Sequence, residues 1–324
     1  MLSRTADCLY WMARYSERAE NTARMLDVSY QTSLLPQPNE FLEENWRNLL
    51  NISHLEKLFN SRYETINREN IFDFMISDFG NPASIVSCLK AARENARAIR
   101  GKISSEVWET QNTTWLEVNT LLNEQKLGDP SLFSEWVKDR SHLFHGVVEG
   151  TMLKNESYYF MSIGKFLERA DNTARILEIK YDIASQTQKK SETIQSKNID
   201  DDFFEFYHWA SILKSVSAFE IYRQTYSDHI SPQKIADLLI FNSQMPRSLM
   251  YCINTILNLM PEIKNSNSKN IEKLIGKLKS DLEYSDIDEI FNQGLDKFLK
   301  VFLEKINRIA DQFSNTYLIP LAVA

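Results

Sequence analysis

Glycine and proline are scarce in this chain, with eight of each in 324 residues. Glycine loosens regular structure through its backbone freedom, and proline breaks it through a fixed φ and a missing N–H. So few of either argues against turn-dense sandwiches and barrels and leaves room for long uninterrupted elements. Cysteine is rarer still. Cys8, Cys88 and Cys252 form no C-x-x-C pair and are too few for a disulfide framework. The 37 Lys and Arg fall short of the 44 Asp and Glu, for a net charge of −7. That balance argues against a nucleic-acid binder with a basic face, though not against a local cationic pocket. No stretch approaches the ~18 apolar residues of a membrane span. Arg4 and Asp7 stand where a signal peptide would need its apolar region. A cytoplasmic protein with no membrane segment and no nucleic-acid partner is therefore expected. A Gly-rich phosphate loop, a Ser-His-Asp arrangement and a G-x-S-x-G elbow are missing too, so no cofactor is implied and no stand-alone catalytic apparatus is visible.

What the chain does have is a segment written twice. ERAENTARML at Glu17–Leu26 returns as ERADNTARIL at Glu168–Leu177, with only Glu20 exchanged for Asp171 and Met25 for Ile176. The likeness extends outward. Leu9 pairs with Phe160, Ala13 with Gly164, Arg14 with Lys165, Tyr15 with Phe166 and Tyr30 with Tyr181. After small shifts of register Trp46 pairs with Trp209, and Pro82, Ser84 and Cys88 pair with Pro246, Ser248 and Cys252. Such shifts fit insertions in loops, where they cost least. The reading is a tandem duplication of a helical-bundle unit of roughly 150 residues, longer than solenoid repeats, with residues 1–153 as the first unit and 154–324 as the second.

Each unit reads as about four helices, giving an all-α fold. In the first, the spacing predicts helices over 4–34, 42–59, 82–103 and 133–153, with a shorter one over 70–77. The 4–34 helix stops before Pro36, because proline disfavours helix at the residue preceding it. The polar run Ser185–Asp202 reads as a linker or long loop.

At about 100° per residue, Glu17, Asn21, Arg24 and Arg14 share one helix face, with Arg18 at its edge. Tyr15, Leu26, Ala19, Met12, Tyr30 and Ala23 form the opposite, core stripe. Val28 and Met25 lie among the charges, matched by Ile179 and Ile176, so the polar face is expected to be partly buried against another helix. Two readings follow for Arg14, Arg18, Asn21, Arg24, Arg169, Asn172 and Arg175. One is a buried network that fixes helix register, since buried charges must be paired. The other is a cleft whose arginine forks bind a carboxylate or phosphate, with Glu17 or Glu168 as candidate catalytic base.

The motif, its duplication and the opening MLSRTADCLYWMARYSERAENTARMLDV resemble the bacterial Alpha-E family, a helical family named for its Glu-Arg motif. Ala91–Trp108 and Phe144–Arg175 share the resemblance. It implies no assigned reaction. Members tend to be encoded beside ATP-grasp ligases, transglutaminase-like proteins and an NTN-type peptidase. The resemblance therefore implies a role in peptide synthesis or modification, with an ATP-grasp-type ligase and transglutaminase-like proteins as partners and a peptide or anionic small molecule as possible ligand. An accessory or scaffold role is favoured over an autonomous enzyme. Acid-base chemistry by the Glu/Arg/Asn clefts is the alternative.

Two further patterns stand out. Arg93, Arg97 and Arg100 share a helix face near Trp108 and belong to the first half alone, either as a solvated stripe or as an anion-binding wall. Glu205-x-x-His208 and Asp139-x-x-His142 have the i, i+3 spacing of di-iron bundles. Neither is repeated in the other half, so no metal is expected and di-iron remains a remote alternative. Cys88 and Cys252 are expected in the core.

Overall fold

Nothing interrupts Ser3–Ser33: its 31 residues contain neither glycine nor proline, and they form one helix, α1. In the computed structural model the chain is described over residues 1–36, 39–124, 128–193, 199–227 and 229–319. The remaining helices of the first half are α2 (Asn39–Ile52), α3 (Glu56–Asn60), α4 (Arg68–Phe72), α5 (Ile85–Ala98), α6 (Ser105–Asn123) and α7 (Pro130–Thr151). The second half holds α8 (Glu156–Thr193), α9 (Ile199–Ser215), α10 (Phe219–Thr225), α11 (Pro232–Phe241), α12 (Leu249–Leu259), α13 (Lys269–Glu283), α14 (Ile287–Gln293) and α15 (Leu295–Phe313). Among the described residues there is no strand, and the fold is all-α.

Helix starts follow local chemistry. Ser84, Ser104, Ser231 and Ser248 each accept a hydrogen bond from a first-turn N–H of α5, α6, α11 and α12. Asp129 caps α7, with Pro130 in its first turn.

Several boundaries differ from the sequence reading. The helix expected over 42–59 is two helices, parted at His54, whose φ of 55° lies in the left-handed region. The third helix ends at Ala98 and is followed by a 3-10 turn, Arg100–Lys102. The short helix begins at Arg68 and continues as a π turn, Asp73–Ser77. Helix α6 was not anticipated. The polar run placed in a linker from Ser185 is helical through Thr193, and α9 begins at Ile199; residues 194–198 lie outside the described residues.

Helix α1 packs against α5, α7 and α8, and α6 closes the first set by packing on α5 and α7. Helix α8 packs against α12 and α15, with α13 between those two. One continuous apolar core runs through both halves, from Leu9 and Tyr10 to Phe302 and Phe313. The α1–α8 contacts advance in step along both helices. The Met1 amino group is 3.2 Å from Glu156, Arg14 reaches Glu168, and Glu17 reaches Arg169. The two helices therefore run side by side in the same direction. They approach closely at Gly164, where a Cβ would stand 2.5 Å from the Tyr10 carbonyl oxygen. Helix α7 runs the other way along α1: Asp27 meets Ser131, Glu20 meets Ser141 and Glu17 faces His145.

Candidate functional site: the crossing of the two ER motifs

Because α1 and α8 run in step, the two motifs face each other and exchange partners. Glu17 accepts from Arg169 Nε and Nη2, both at 2.8 Å. Glu168 accepts from Arg18 Nε at 2.6 Å and Nη2 at 2.9 Å. Arg14 adds a third bond to Glu168, 2.8 Å from Nε, and donates from Nη1 to the Tyr10 hydroxyl at 2.9 Å. These are two-bonded arginine forks of the kind that give ion pairs both strength and direction. Both carboxylates are buried. The polar face is partly buried, with Glu17 and Asn21 buried and Arg14, Arg18 and Arg24 half-buried, while on the stripe opposite Met12, Ala19, Ala23 and Leu26 sit in the core and Tyr15 and Tyr30 lie at its margin.

Around Glu17 the network is richer than the motif alone. Arg247, in the turn before α12, donates from Nη1 to Glu17 Oε1 at 3.1 Å and to Asn21 Oδ1 at 2.8 Å, and from Nη2 to Glu20. The Thr173 hydroxyl holds that turn by donating to the Arg247 carbonyl at 3.0 Å. From α7, Ser141 donates to Glu20 Oε2 at 2.6 Å, and His142 Nε2 lies 3.0 Å from Arg24 Nη2. His145 Nε2 stands 3.3 Å from Glu17 Oε2 without the alignment of a hydrogen bond.

Burial opposes charge on all three carboxylates, and the arginines overcome it. Arg169 and Arg247 hold Glu17 well below the usual carboxylate range. Arg247 and Arg24 bring Glu20 to about 2 against the added opposition of Glu17. Arg18 and Arg14 bring Glu168 to about 2. Burial pushes His145 down, so its ring stays neutral.

The other motif residues take lesser places. Arg24 pairs with Glu20 one turn back, at 2.9 Å, and Arg175 pairs with Asp171 in the same way at 2.7 and 3.0 Å. Asn21 and Asn172 each keep a buried Nδ2 with no partner. Arg93, Arg97 and Arg100 lie elsewhere. Arg93 bonds Asn112 and Glu94, Arg97 is exposed beside Glu94, and Arg93 and Arg100 flank Trp108 at 5.6 and 5.3 Å. Cys8, Cys88 and Cys252 are buried and unbridged.

Arg247, Ser141, His145 and Lys165 were not singled out as site residues from the sequence. Arg247 has Ala83 as its repeat counterpart, so comparing the halves could not flag it. Ser141 and His145 are one turn apart on α7, a spacing that places them on one face but says nothing of what they meet.

For a metal, Glu17, Glu20 and His145 offer ligand atoms within 4.8 Å of one another. The same carboxylate oxygens already bind Arg169, Arg247 and Arg24, and a divalent ion would have to displace guanidinium groups. Of the spaced pairs considered from the sequence, His142 reaches Arg24 as described, and the side chain of Glu205 lies outside the described residues. No helix among the described residues is long and apolar enough to cross a membrane.

Uncharacterised proteins of Mycobacterium bovis and Mycobacterium tuberculosis are 23% identical to this chain over 337 aligned positions, covering 96% of it. The matching segment is 36% of those relatives, so the chain spans about a third of their length. No solved structure matches. The family described as a predicted α-helical domain with a conserved ER motif, Alpha-E, matches residues 1–318, and the reciprocal crossing is built from that motif. The chain belongs to the Alpha-E family.

Proposed function

We propose that this chain is a non-catalytic accessory, scaffold or substrate-binding component of a peptide synthesis or modification system, working with an ATP-grasp-type amide ligase and transglutaminase-like proteins. One observation carries the non-catalytic part: each motif glutamate is buried and held by an arginine fork from the other motif. A general base works best with a pKa near the operating pH and a free lone pair toward its substrate. Glu17 and Glu168 sit far below that range, and three arginine N–H groups already bind each buried carboxylate, so the alternative in which one of them abstracts a proton has less support. What the motif does do is lock two long helices in one register, and the faces around them are then presented as a rigid body.

The partner classes rest on the family resemblance. The mycobacterial relatives are in keeping with a module that works joined to others, since about two thirds of their length lies outside the match. The test mixes the purified chain with an ATP-grasp-type ligase from the same host and follows ATP-dependent amide formation on a peptide and amino-acid library. Co-purification, with ligase activity or selectivity changed by the chain, supports the reading. Amide formation by this chain alone overturns it, and so do pull-downs from the host that recover neither ligase nor transglutaminase-like protein.

A further inference from the structure

Lys165 aligns with Arg14 across the repeat. Arg14 joins Arg18 on Glu168, and the matching arrangement would set Lys165 beside Arg169 on Glu17. Arg247 takes that place instead. Lys165 is left with no ion pair or hydrogen bond among the described residues; its Nζ lies 4.7 Å from the centre of the Phe166 ring.

The charges around it do not balance. Glu17 and Glu20 on α1 supply two negative charges; Glu149 on α7, which Lys165 also feels, is paired with Lys154 at 2.7 Å and adds nothing net. Arg24, Arg169 and Arg247 already supply three positive ones, and Lys165 is a fourth. His145 on α7 is neutral, and the buried Cys252 thiol on α12 is pushed up to about 12 and stays protonated. Charge left uncompensated in a largely buried place is costly. One relief is proton loss, and burial together with Arg169 brings the Lys165 amine down to about 8. The other relief is an anion.

We propose that Lys165, with Arg169 one turn away, anchors an oxyanion-binding site beside Glu17 and His145 that takes a small carboxylate or phosphate group. Arg169 has capacity to share, since its Nη1 makes only a long 3.4 Å bond to the Pro246 carbonyl. The sign of the surplus disfavours a divalent cation on Glu17, Glu20 and His145. Binding at this site does not depend on the pathway proposed above, because the purified chain should show it without any partner.

The experiment uses the full chain with 13C-methylated lysines, and the Lys165 resonance is assigned by its loss in Lys165→Met. Its titration is followed in chloride, then with acetate or inorganic phosphate at tens of millimolar and constant ionic strength. An anion within reach of the amine should raise its apparent pKa by about one pH unit or more. Calorimetry should show binding by wild type, weaker acetate binding as pH rises through 8, and none by Lys165→Met. A response to acetate alone identifies a carboxylate ligand; a response to phosphate alone identifies a phosphate. If neither anion moves the Lys165 titration, or if Lys165→Met binds as tightly as wild type, the proposal is overturned. The titration is read on the wild-type chain, so it stands whether or not the variant folds, and Lys165→Arg then supplies the assignment.

Discussion

The Glu17 carboxylate of α1 and the Arg169 guanidinium of α8 are joined by two hydrogen bonds of 2.8 Å. Their counterparts, Glu168 and Arg18, are joined the same way with the roles of the helices reversed. Each helix thus gives one acid and receives one, as in a self-complementary interface between identical subunits. Sliding either helix by a turn would break both forks at once, leaving Arg169 and Arg18 without their acids and Glu168 without its arginines. The motif reads best as a register lock, and its cost in desolvated charge is offset by specificity of pairing.

Removing one acid should therefore be severe. Glu17→Ala strands Arg169 and leaves Arg247 to Glu20 and Asn21, and Glu168→Ala strands Arg18 and Arg14. Each is expected to lose about 3–5 kcal/mol in urea unfolding, as for other broken buried pairs. The pair Glu17→Ala with Arg169→Met should cost less than the sum of its single changes, because the second substitution removes the stranded charge. Wild-type stability in both single variants would sink the register lock.

Gly164 is the second point of closest dependence. A Cβ there would meet the Tyr10 carbonyl oxygen at 2.5 Å, a contact that only a shift of α1 from α8 relieves. Gly164→Ala should cost about 1–3 kcal/mol, the range for overpacking, despite alanine's better helix propensity. Gly146, exposed on α7 with nothing within 4 Å of a Cβ, is the control. Gly146→Ala should stabilise by up to about 1 kcal/mol. Equal effects at both positions in thermal unfolding would show that the helices do not meet at Gly164.

Acid should unfold the protein through these same carboxylates. Their folded pKa values lie below the unfolded value of 4.5, near 2 for Glu20 and Glu168. The folded state then binds fewer protons than the unfolded state as pH falls below about 5, so stability falls with pH. The contribution is complete above 4.5 and is lost toward 2. Melting temperature against pH checks the sign. Glu168→Gln should show a shallower acid decline than wild type, and an equally steep one would mean that other groups control it.

Lys165 has the opposite sign. Its folded value is near 8 and its ordinary value is 10.5, so between the two the unfolded chain binds more protons. Stability of wild type relative to Lys165→Met should rise as pH goes from 8 to 10. Taking the difference cancels Cys88, whose raised value acts the other way, and a Cys252→Ala background removes Cys252, which interacts with Lys165 itself. Urea midpoints at the two pH values measure it, and a flat difference would refute the burden placed on this amine.

The sequence made the helical class, the motif helix and the burial of its charged face legible, because a segment repeated almost unchanged identifies which positions tolerate no drift. It did not show whether the copies meet, since helix periodicity gives a face and not the neighbour opposite it. Helix α6 escaped because its buried face is Val107, Gln111, Thr114 and Val118, in which two of four residues are polar and dilute the apolar stripe. The break at His54 escaped because a left-handed residue there needs no glycine or proline to announce it. Arg247 escaped because repeat comparison finds what the halves share, and this arginine is where they differ.

That difference gives the last prediction. Arg247 adds a third guanidinium to two carboxylates that Arg169 and Arg24 already serve, with Ser141 donating to Glu20 as well. Arg247→Met deletes a cation from a cluster with too many, whereas Glu17→Ala deletes an anion from one with too few. The arginine substitution should thus be the milder of the two in urea unfolding, although it also removes the bond to Asn21. With the competing guanidinium gone, Glu17 is open to Lys165, and the amine should titrate above 8, moving toward its ordinary 10.5. The same 13C-methyl signal reports it. If Arg247→Met is as damaging as Glu17→Ala and leaves the Lys165 titration where it was, the cluster carries no cationic surplus and Arg247 is simply part of the lock.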